Sequence, residues 1–246
     1  MKVVLFCGGL GTRLREHSET IPKPMVAIGE RPILWHLMKY YAHFGHTDFI
    51  LCLGYRGEQI RRYFAEYRDP LKEAGSDVAD WTITCVDTGV EASIGERLVA
   101  VREHLVGEAC FLANYSDGLA DLPLDVCLER FRREGCVASL ACVRPQHSFH
   151  TVTPGDDGLV AAMHAARDSG VWVNGGFFAL RQEIFDYIGA GEDLVAAPFA
   201  RLIAARQLMA YRHEGFWAAM DTFKDKRAFD DMEARGETPW KVWRGR

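Results

Sequence analysis

The sequence of 246 residues predicts an α/β fold with a mostly parallel central sheet. Short apolar, β-branched runs alternate with segments of helical period, and a βαβα order favours parallel strands. Several strand runs are apolar throughout, as in a sheet that helices cover on both faces. Two of them lead directly into a glycine-rich or an acidic loop. Ligands of such sheets bind at the carboxyl ends of the strands, so these loops are the first candidates for a site.

Glycines and prolines set the predicted element boundaries. The run from Val3 to Cys7 predicts a buried strand that ends in a glycine loop. Pro32 stands at a favoured first helical position, and Gly45 supplies a stop for that helix. Gly107 ends and Pro123 begins later helices. Further strands are predicted at 49–53, 82–86, 109–113, 137–143, 159–163 and 171–180. Further helices are predicted at 60–67, 96–106, 123–133, 182–188, 196–206 and 224–234, with a loop at 68–80.

Composition and charge exclude several classes of protein. With 48% hydrophobic and 26% charged residues, the sequence matches globular rather than disordered chains. The net charge of −5 excludes nucleic acid as a general partner, because proteins that neutralise its phosphates carry a basic surface. No apolar run approaches the roughly 18 residues that span a bilayer, and the N-terminal run breaks at Gly8 too early for a signal peptide. We therefore expect a cytoplasmic protein with no membrane partner.

The cysteines predict neither a disulfide framework nor a metal site. They number 7, an odd count, and no two of them have Cys-x-x-Cys spacing. Most lie inside apolar segments, so we expect reduced core residues.

The glycine loop has the residue types of a phosphate-binding site. Gly8, Gly9 and Gly11 allow backbone N–H groups to approach an anion, and Arg13 and Lys23 add cationic donors. Glycines alone would indicate a simple turn with a solvated arginine, but the ordered set of glycines, arginine and proline-flanked lysine favours a triphosphate. The loop matches neither the Gly-x-x-x-x-Gly-Lys-Ser/Thr motif nor Gly-x-Gly-x-x-Gly, so it is not one of the common nucleotide fingerprints.

Two aspartates complete the predicted chemistry. Asp117 follows a buried strand, and Asp221 follows an aromatic run much later in the chain. Either residue alone is more often a helix cap or a turn residue than a metal ligand. If the two converge, they can hold one Mg²⁺ whose other positions go to phosphate and water. A phosphate cradle with paired carboxylates predicts phosphoryl or nucleotidyl transfer.

The motifs of the chain carry a family resemblance. Residues 8–14 (GGLGTRL) with 22–25 (PKPM) resemble the signature of the sugar-1-phosphate nucleotidylyltransferases. The glucose-1-phosphate cytidylyltransferase branch is similar at 32–36 (PILWH), 49–55 (FILCLGY), 86–89 (VDTG), 117–121 (DGLAD), 174–178 (NGGFF), 215–222 (GFWAAMDT) and 239–243 (PWKVW). The resemblance spans nearly the whole chain.

The resemblance implies a Rossmann-like nucleotidyltransferase fold in a single domain over 1–246, with an NTP-binding half at 1–120 and an acceptor-binding half with the C-terminal helix at 121–246. It implies CTP as donor, Mg²⁺ as cofactor, a phosphorylated small molecule as acceptor, pyrophosphate as product and a homo-oligomer. Catalysis falls to Arg13 and Lys23, and metal binding to Asp117 and Asp221. Nucleotide binding is implied for Gly8, Gly9, Gly11, Thr12, Thr88, Gly89 and Arg97.

Departures from the family pattern concentrate on the acceptor side. The family has Glu-Lys-Pro about nine residues before Asn-Gly-Gly-Phe-Phe, and its lysine grips the acceptor phosphate, whereas this chain has Ala165 there. An arginine and a glutamate of the pattern are also lost, at 148–150 and at Ala197. The predicted acceptor residues are His150, His164, Arg167, Asn174 and Gly175.

These departures leave alternatives open. Any one of these histidines alone is more typical of a surface or packing residue than of an acceptor contact, and Trp172 either lines the pocket or packs. The acceptor is then glucose 1-phosphate or another molecule, such as a cyclitol phosphate or a phosphonate. A non-catalytic nucleotide-binding regulatory protein is the alternative from another class.

Overall fold

A seven-stranded sheet forms the centre of the computed structural model, which describes residues 1–9, 21–68, 80–146 and 150–244. The strands are β1 Val3–Phe6, β2 Ala27–Ile28, β3 Arg31–Pro32, β4 Asp48–Leu53, β5 Thr82–Asp87, β6 Cys110–Tyr115, β7 Gly118–Ala120, β8 Ala138–Val143, β9 His150–Pro154, β10 Val160–Ala165, β11 Val173–Arg181, β12 Leu208–His213 and β13 Trp217–Ala219. The α-helices are α1 Ile33–His43, α2 Gly57–Arg68, α3 Ile94–Ala100, α4 Leu124–Glu134, α5 Ala197–Ala204 and α6 Phe223–Arg235. Short 3₁₀ helices lie at Lys23–Met25, Arg102–Leu105, Ala166–Asp168, Gln182–Asp186 and Val242–Arg244.

The central sheet is mostly parallel. Its strand order is β12-β8-β11-β6-β1-β4-β5. The pairs β1–β4, β1–β6, β4–β5 and β8–β12 are parallel, and only β11 runs against its neighbours β6 and β8 in this sheet of the described residues. The predicted α/β class with a mostly parallel sheet is therefore confirmed.

Alternate residues of β1 pack into two cores, one on each face of the sheet. Val3 and Leu5 join a cluster that includes apolar side chains of α1, and Val4 and Phe6 join a second cluster that includes Leu98 of α3. All four residues of β1 are buried. A strand between two cores has no solvent face, which explains why its sequence is apolar without alternation.

Element boundaries depart from the prediction where local geometry changes. Helix α1 begins at Ile33, because Pro32 is its N-cap with extended backbone and not its first residue. The helix predicted at 96–106 is α3 followed by a separate 3₁₀ helix at Arg102–Leu105, and the helix predicted at 182–188 is 3₁₀. The sequence did not predict β9 or β12. Most of the loop predicted at 68–80 lies outside the described residues.

Membrane-crossing elements are not found in the described ranges, since no helix there is both long enough and apolar enough. The seven cysteines, all of them in the described ranges, are free as predicted. Cys7 and Cys52 are fully buried in the two cores, where burial raises the pKa of the Cys7 thiol above its ordinary value.

His36 is a titratable group inside the core. Its ring is 2% exposed, lies among Trp35, Trp240 and Trp243, and its Nε2 donates to the carbonyl oxygen of Ile28 at 3.1 Å. Since a carbonyl only accepts, Nε2 carries the proton of the neutral ring. Burial lowers the pKa of His36 to about 4. The folded protein therefore disfavours the imidazolium.

Stability should fall as the pH is lowered from neutrality towards 4, in part because of His36. The unfolded chain binds a proton near its ordinary pKa, whereas the folded chain resists it down to about 4. The difference between the unfolded and folded pKa values corresponds to about 3 kcal/mol of unfolding free energy. This contribution is fully present above the unfolded pKa and is lost progressively as the pH falls to about 4. Urea unfolding at pH 7.0 and at about pH 4.5 should show a smaller loss in His36→Gln, whose amide can still donate to Ile28. His43→Gln on an exposed position of α1 should retain the wild-type loss, and an identical loss in His36→Gln would contradict the assignment.

Candidate active site

A cavity of about 440 Å³ opens at the carboxyl ends of β1 and β6, the edge where the sequence predicts a site. Its walls come from segments that are far apart in the sequence. The lining residues are Phe6, Cys7, Gly9, Lys23, Pro24, Val90, Ala92, Ser93, Ile94, Arg97, Tyr115, Ser116, Asp117, Asp193 and Asp221. Polar and apolar side chains share the wall, and its charged side chains are a Lys23–Asp117–Asp221 cluster, Arg97 and Asp193.

One group is an ammonium between two carboxylates. Lys23 Nζ donates to Asp117 Oδ2 at 2.5 Å and to Asp221 Oδ1 at 2.8 Å. The lysine side chain is 15% exposed, and the carboxylates are 25% and 28% exposed. The predicted convergence of the two aspartates is present in the structure, with Lys23 as the group that joins them.

Backbone pairing brings the two aspartates together. Asp117 occupies the turn between β6 and β7, and Asp221 comes just after β13. Strands β7 and β13 are antiparallel, and the Met220 N–H donates to the Asp117 carbonyl oxygen at 2.8 Å. Lys23 is the first residue of the 3₁₀ helix Lys23–Met25 and lies between Pro22 and Pro24. The two proline rings restrict the backbone on either side of it. Local sequence rigidity and long-range pairing therefore both place this cluster.

The carboxylates keep Lys23 charged. Burial by itself lowers the pKa of a lysine, but attraction from Asp117 and Asp221 outweighs burial, and the pKa of Lys23 lies above its ordinary value. At neutral pH the protonated Lys23 ammonium therefore lies between one oxygen of Asp117 and one oxygen of Asp221. The Lys23 ammonium thus neutralises part of the negative charge of the two carboxylates, as a bound cation would.

The second group is the buried guanidinium of Arg97. It is 3% exposed and donates to the carbonyl oxygens of Gly8 at 3.2 Å, Leu53 at 3.4 Å and Val90 at 3.0 Å, and to Thr88 Oγ1 at 2.7 Å. Burial lowers the pKa of Arg97, so these oxygens must hold its charge. Arg97 thereby joins the ends of β1, β4 and β5 on one side of the cavity.

Gly8 leaves room for that guanidinium. A Cβ at Gly8 would lie 1.9 Å from Arg97 Nη1, and a Cβ at Gly54 would lie 2.4 Å from the Gly8 carbonyl oxygen. Both positions require the absence of a side chain, because real Cβ atoms do not approach so closely. Gly89, in the loop after β5, has φ +87 and its N–H donates to Asp87 Oδ1 at 3.0 Å.

Sequence reasoning missed part of the cavity wall. Ser93 caps α3 in a reciprocal arrangement with Glu96, a signal that the Ser-x-x-Glu spacing of the sequence contains. Asp193 reaches the same wall from a loop before α5, and its Oδ2 accepts from the Ile94 N–H at 3.4 Å. Burial and the charge of Asp193 raise the pKa of Tyr115 to about 12. No local pattern marks Asp193, since only the packing of that loop on α3 brings it here.

The predicted catalytic, nucleotide-binding and metal-binding residues separate into three sets. Gly9, Lys23, Arg97, Asp117 and Asp221 line the cavity. Gly8 and Thr88 contact Arg97 behind the wall, and Gly89 follows in the same loop. Gly11, Thr12 and Arg13 lie outside the described residues, and the functional roles of all these residues remain predictions.

None of the five predicted acceptor residues lines the described part of the cavity. His150 and His164 are exposed on the β9–β10 hairpin, and the Arg167 side chain is 76% exposed beside Asp168. Asn174 Nδ2 donates to Tyr115 Oη at 3.4 Å, so it contacts a lining residue without lining the wall. Gly175 accepts from Trp217 Nε1 at 2.9 Å. Their acceptor roles stay predictions.

Trp172 packs between cations. The Arg144 guanidinium lies 4.0 Å from its ring centroid, and the Arg212 guanidinium lies 5.6 Å from it. Cation–π contacts of this kind hold an aromatic ring in place. Trp172 is not among the residues that line the described part of the cavity. The contacts of Trp172 therefore favour the packing role over the pocket-lining role.

Comparisons with known proteins match the chain along its length. A family model described as "Nucleotidyl transferase" matches residues 2–86. The chain is 36% identical over 256 aligned positions to the glucose-1-phosphate cytidylyltransferase of Salmonella typhimurium. The alignment covers 99% of this chain and 100% of that protein. The chain is 35% identical, with the same coverage, to the probable glucose-1-phosphate cytidylyltransferase of Bacillus subtilis. A crystal structure of UDP-glucose pyrophosphorylase complexed with UDP-glucose shares the fold, with a TM-score of 0.72, 16% identity and coverage of 96% and 98% of the two chains.

Gly8→Ala should destabilise the protein through Arg97. The new methyl group must displace a guanidinium that four oxygens hold, and overpacking of this kind costs about 1–3 kcal/mol. Thermal unfolding should show a fall in Tm of several degrees. Gly9→Ala is the matched control, because no described atom lies within 4 Å of its Cβ position. Equal Tm values for the two variants would show that Arg97 does not depend on the space at Gly8.

Proposed function

Since the chain belongs to the family of sugar-phosphate nucleotidyltransferases, we propose that it transfers CMP from CTP to a sugar 1-phosphate and releases pyrophosphate. The family makes the chain an enzyme, which sets aside the non-catalytic alternative. The relatives that match over the whole chain are named for cytidylyl transfer to glucose 1-phosphate, and this supports the choice of base and acceptor class. The observation that carries the proposal is the cluster of Lys23, Asp117 and Asp221 in the wall of the cavity.

The reaction needs positioning and charge neutralisation more than covalent help. A phosphate oxygen of the acceptor attacks the α-phosphorus of CTP, a new P–O bond forms, and the bond to the bridging oxygen breaks as pyrophosphate leaves. The nucleophile is already an anion, so no general base is required. Lys23 lies in the cavity wall, where its ammonium can neutralise phosphate charge, and Arg13 is proposed for the same task.

The donor set of the cavity fits Mg²⁺. Asp117 and Asp221 offer the carboxylate oxygens that this ion prefers, and they already hold a cation in the form of the Lys23 ammonium. No group of three or more His, Cys, Asp or Glu side chains suited to a metal occurs in the described ranges, so water and phosphate oxygens would complete the coordination. When bound, Mg²⁺ neutralises phosphate charge in the transition state.

Arg97 is proposed to support nucleotide binding mainly by holding loops. Its donors are engaged with four protein oxygens, including the Gly8 carbonyl and Thr88 Oγ1. The segments that it joins carry the proposed nucleotide residues Gly8, Gly9, Thr88 and Gly89. A rigid wall on the base side reduces the entropy lost on binding and favours discrimination between bases.

Oligomeric state and location rest on the resemblance and the composition alone. A homo-oligomer and a cytoplasmic location stay predictions.

The donor is tested by pyrophosphate release from each NTP with Mg²⁺ and glucose 1-phosphate. CTP should give the largest kcat/KM, because the relatives named above are cytidylyltransferases. The same panel in the absence of divalent cation should show no turnover. Equal or better use of dTTP or UTP would reject the cytosine assignment and leave the family intact.

Glucose 1-phosphate should be a poor acceptor. The family lysine is replaced by Ala165, and a charged hydrogen bond contributes about 1.5–3 kcal/mol, or roughly 10- to 150-fold in affinity. We expect kcat/KM for glucose 1-phosphate below about 10⁵ M⁻¹s⁻¹ and an increase in Ala165→Lys. Ala161→Lys on the exposed part of β10 adds the same charge elsewhere and should change nothing. A wild-type kcat/KM above that value would show that the lost lysine does not matter.

If the value is low, the natural acceptor differs from glucose 1-phosphate, and a panel of cyclitol phosphates, phosphonates and modified sugar phosphates should contain a better one. His150, His164 and Arg167 are the proposed contacts.

A further inference from the structure

The ammonium of Lys23 lies between the two carboxylates that are proposed to hold a metal ion. It contacts one oxygen of Asp117 at 2.5 Å and one oxygen of Asp221 at 2.8 Å, and all three residues line the cavity. A divalent cation shared by the two carboxylates would bind the same pair of side chains, within a few ångströms of the ammonium. The ammonium and the cation therefore compete for one place.

We propose that Lys23 is a resident counter-ion that makes metal binding conditional on nucleotide. The inference rests on the proposed function, since it takes Asp117 and Asp221 as the metal pair. In the empty enzyme Lys23 holds the two carboxylates and opposes a divalent cation. A triphosphate in the cavity draws the ammonium to its own oxygens and leaves the carboxylates to the metal.

Electrostatics sets the direction of this exchange. Two cations within a few ångströms repel each other strongly in a partly buried site, so the metal and the ammonium cannot share the carboxylates at low cost. Each carboxylate carries one negative charge, whereas a triphosphate carries several and is the stronger partner for an ammonium. Moving Lys23 to the phosphate therefore relieves the repulsion and keeps every charge paired.

The side chain and its surroundings permit the movement. Lys23 and Pro24 both line the cavity, so a triphosphate bound there lies within reach of the ammonium. The prolines on either side restrict the backbone, but the lysine side chain retains its rotatable bonds. The exchange needs no change of fold.

Linkage makes the effect reciprocal. If nucleotide raises the affinity for metal, metal raises the affinity for nucleotide by the same factor. The enzyme would thus bind metal weakly on its own and firmly as part of a nucleotide complex. An isolated divalent cation would seldom occupy the carboxylates before the substrate arrives.

The test is the affinity of the full-length enzyme for Mn²⁺ without nucleotide, measured by electron paramagnetic resonance of the free ion. Lys23→Met keeps the length of the side chain and removes its charge, so Mn²⁺ should bind at least about tenfold more tightly than to the wild type. Lys226→Met is the matched control, because Lys226 pairs with Asp230 on α6 and removal of its charge leaves the cavity cluster intact. Unchanged or weaker Mn²⁺ binding in Lys23→Met overturns the proposal.

Two further measurements test whether nucleotide changes the Mn²⁺ affinity and whether Mn²⁺ stabilises the folded variant. Water-proton relaxation with Mn²⁺ and a non-hydrolysable CTP analogue should show that the analogue raises Mn²⁺ affinity strongly in the wild type and less in Lys23→Met. The Tm of Lys23→Met should also rise more on addition of Mn²⁺ than the Tm of the wild type, because a ligand of the folded state stabilises it. Equal coupling in both proteins, or equal Tm shifts, counts against the counter-ion role.

Asp117→Asn and Asp221→Asn separate this inference from the proposed function. If both variants lose Mn²⁺ from the nucleotide complex while Lys23→Met binds Mn²⁺ no more tightly, the metal pair stands and the counter-ion inference fails. If both variants retain Mn²⁺ binding and near-normal turnover, the metal pair itself is wrong and the proposed function loses its carrying observation.

Discussion

Repulsion between two partly buried carboxylates is the constraint on which the cavity depends. The pairing of β7 with β13 and the hydrogen bond from Met220 N–H to the Asp117 carbonyl oxygen place the backbones of Asp117 and Asp221 close together. Two like charges in such a place require a cation, and the structure provides Lys23. Proline residues on both sides of Lys23 keep its backbone beside them. The cluster is stable in itself, yet its charges are the ones that phosphate and metal chemistry use.

At Arg97, the cavity wall contains a buried positive charge that no carboxylate pairs with in the described residues. The guanidinium of Arg97 is held by three carbonyl oxygens and one hydroxyl, so its partners are dipoles of the backbone ends that it joins. Gly8 and Gly54 are required there because a Cβ would collide with Arg97 or with the backbone. Glycine at position 8 thus has a packing reason, separate from the proposed approach of an anion to this loop. Ion pairs hold the part of the wall at Lys23, whereas hydrogen bonds to backbone carbonyls and one hydroxyl hold the part at Arg97.

The segments proposed for acceptor binding differ from the family pattern while the strand next to them keeps it. The antiparallel strand β11 still carries Asn174 and Gly175 beside Tyr115 and Trp217. The hairpin where the family lysine would stand has an alanine, and its histidines are exposed to solvent. Asp193 adds a carboxylate to the cavity wall from a loop that no sequence pattern marked. Acceptor choice is therefore the property on which relatives at 35–36% identity inform least.

Local patterns determined most of the fold: apolar runs gave strands such as β1, and Gly45 and Pro123 marked helix boundaries within a residue or two. The residue types of the candidate site were also visible in the sequence, because glycine, lysine and aspartate near strand ends have few other uses together. Tertiary structure alone decided that β12 is a strand beside β8, and that Asp193 reaches the cavity. It also decided that Lys23 lies between the aspartates, since the attraction between these charges acts across 94 and 198 residues of chain. Sequence period reports on neighbours a few residues apart, whereas edge-strand pairing, loop packing and long-range charge contacts depend on where the whole chain places its ends.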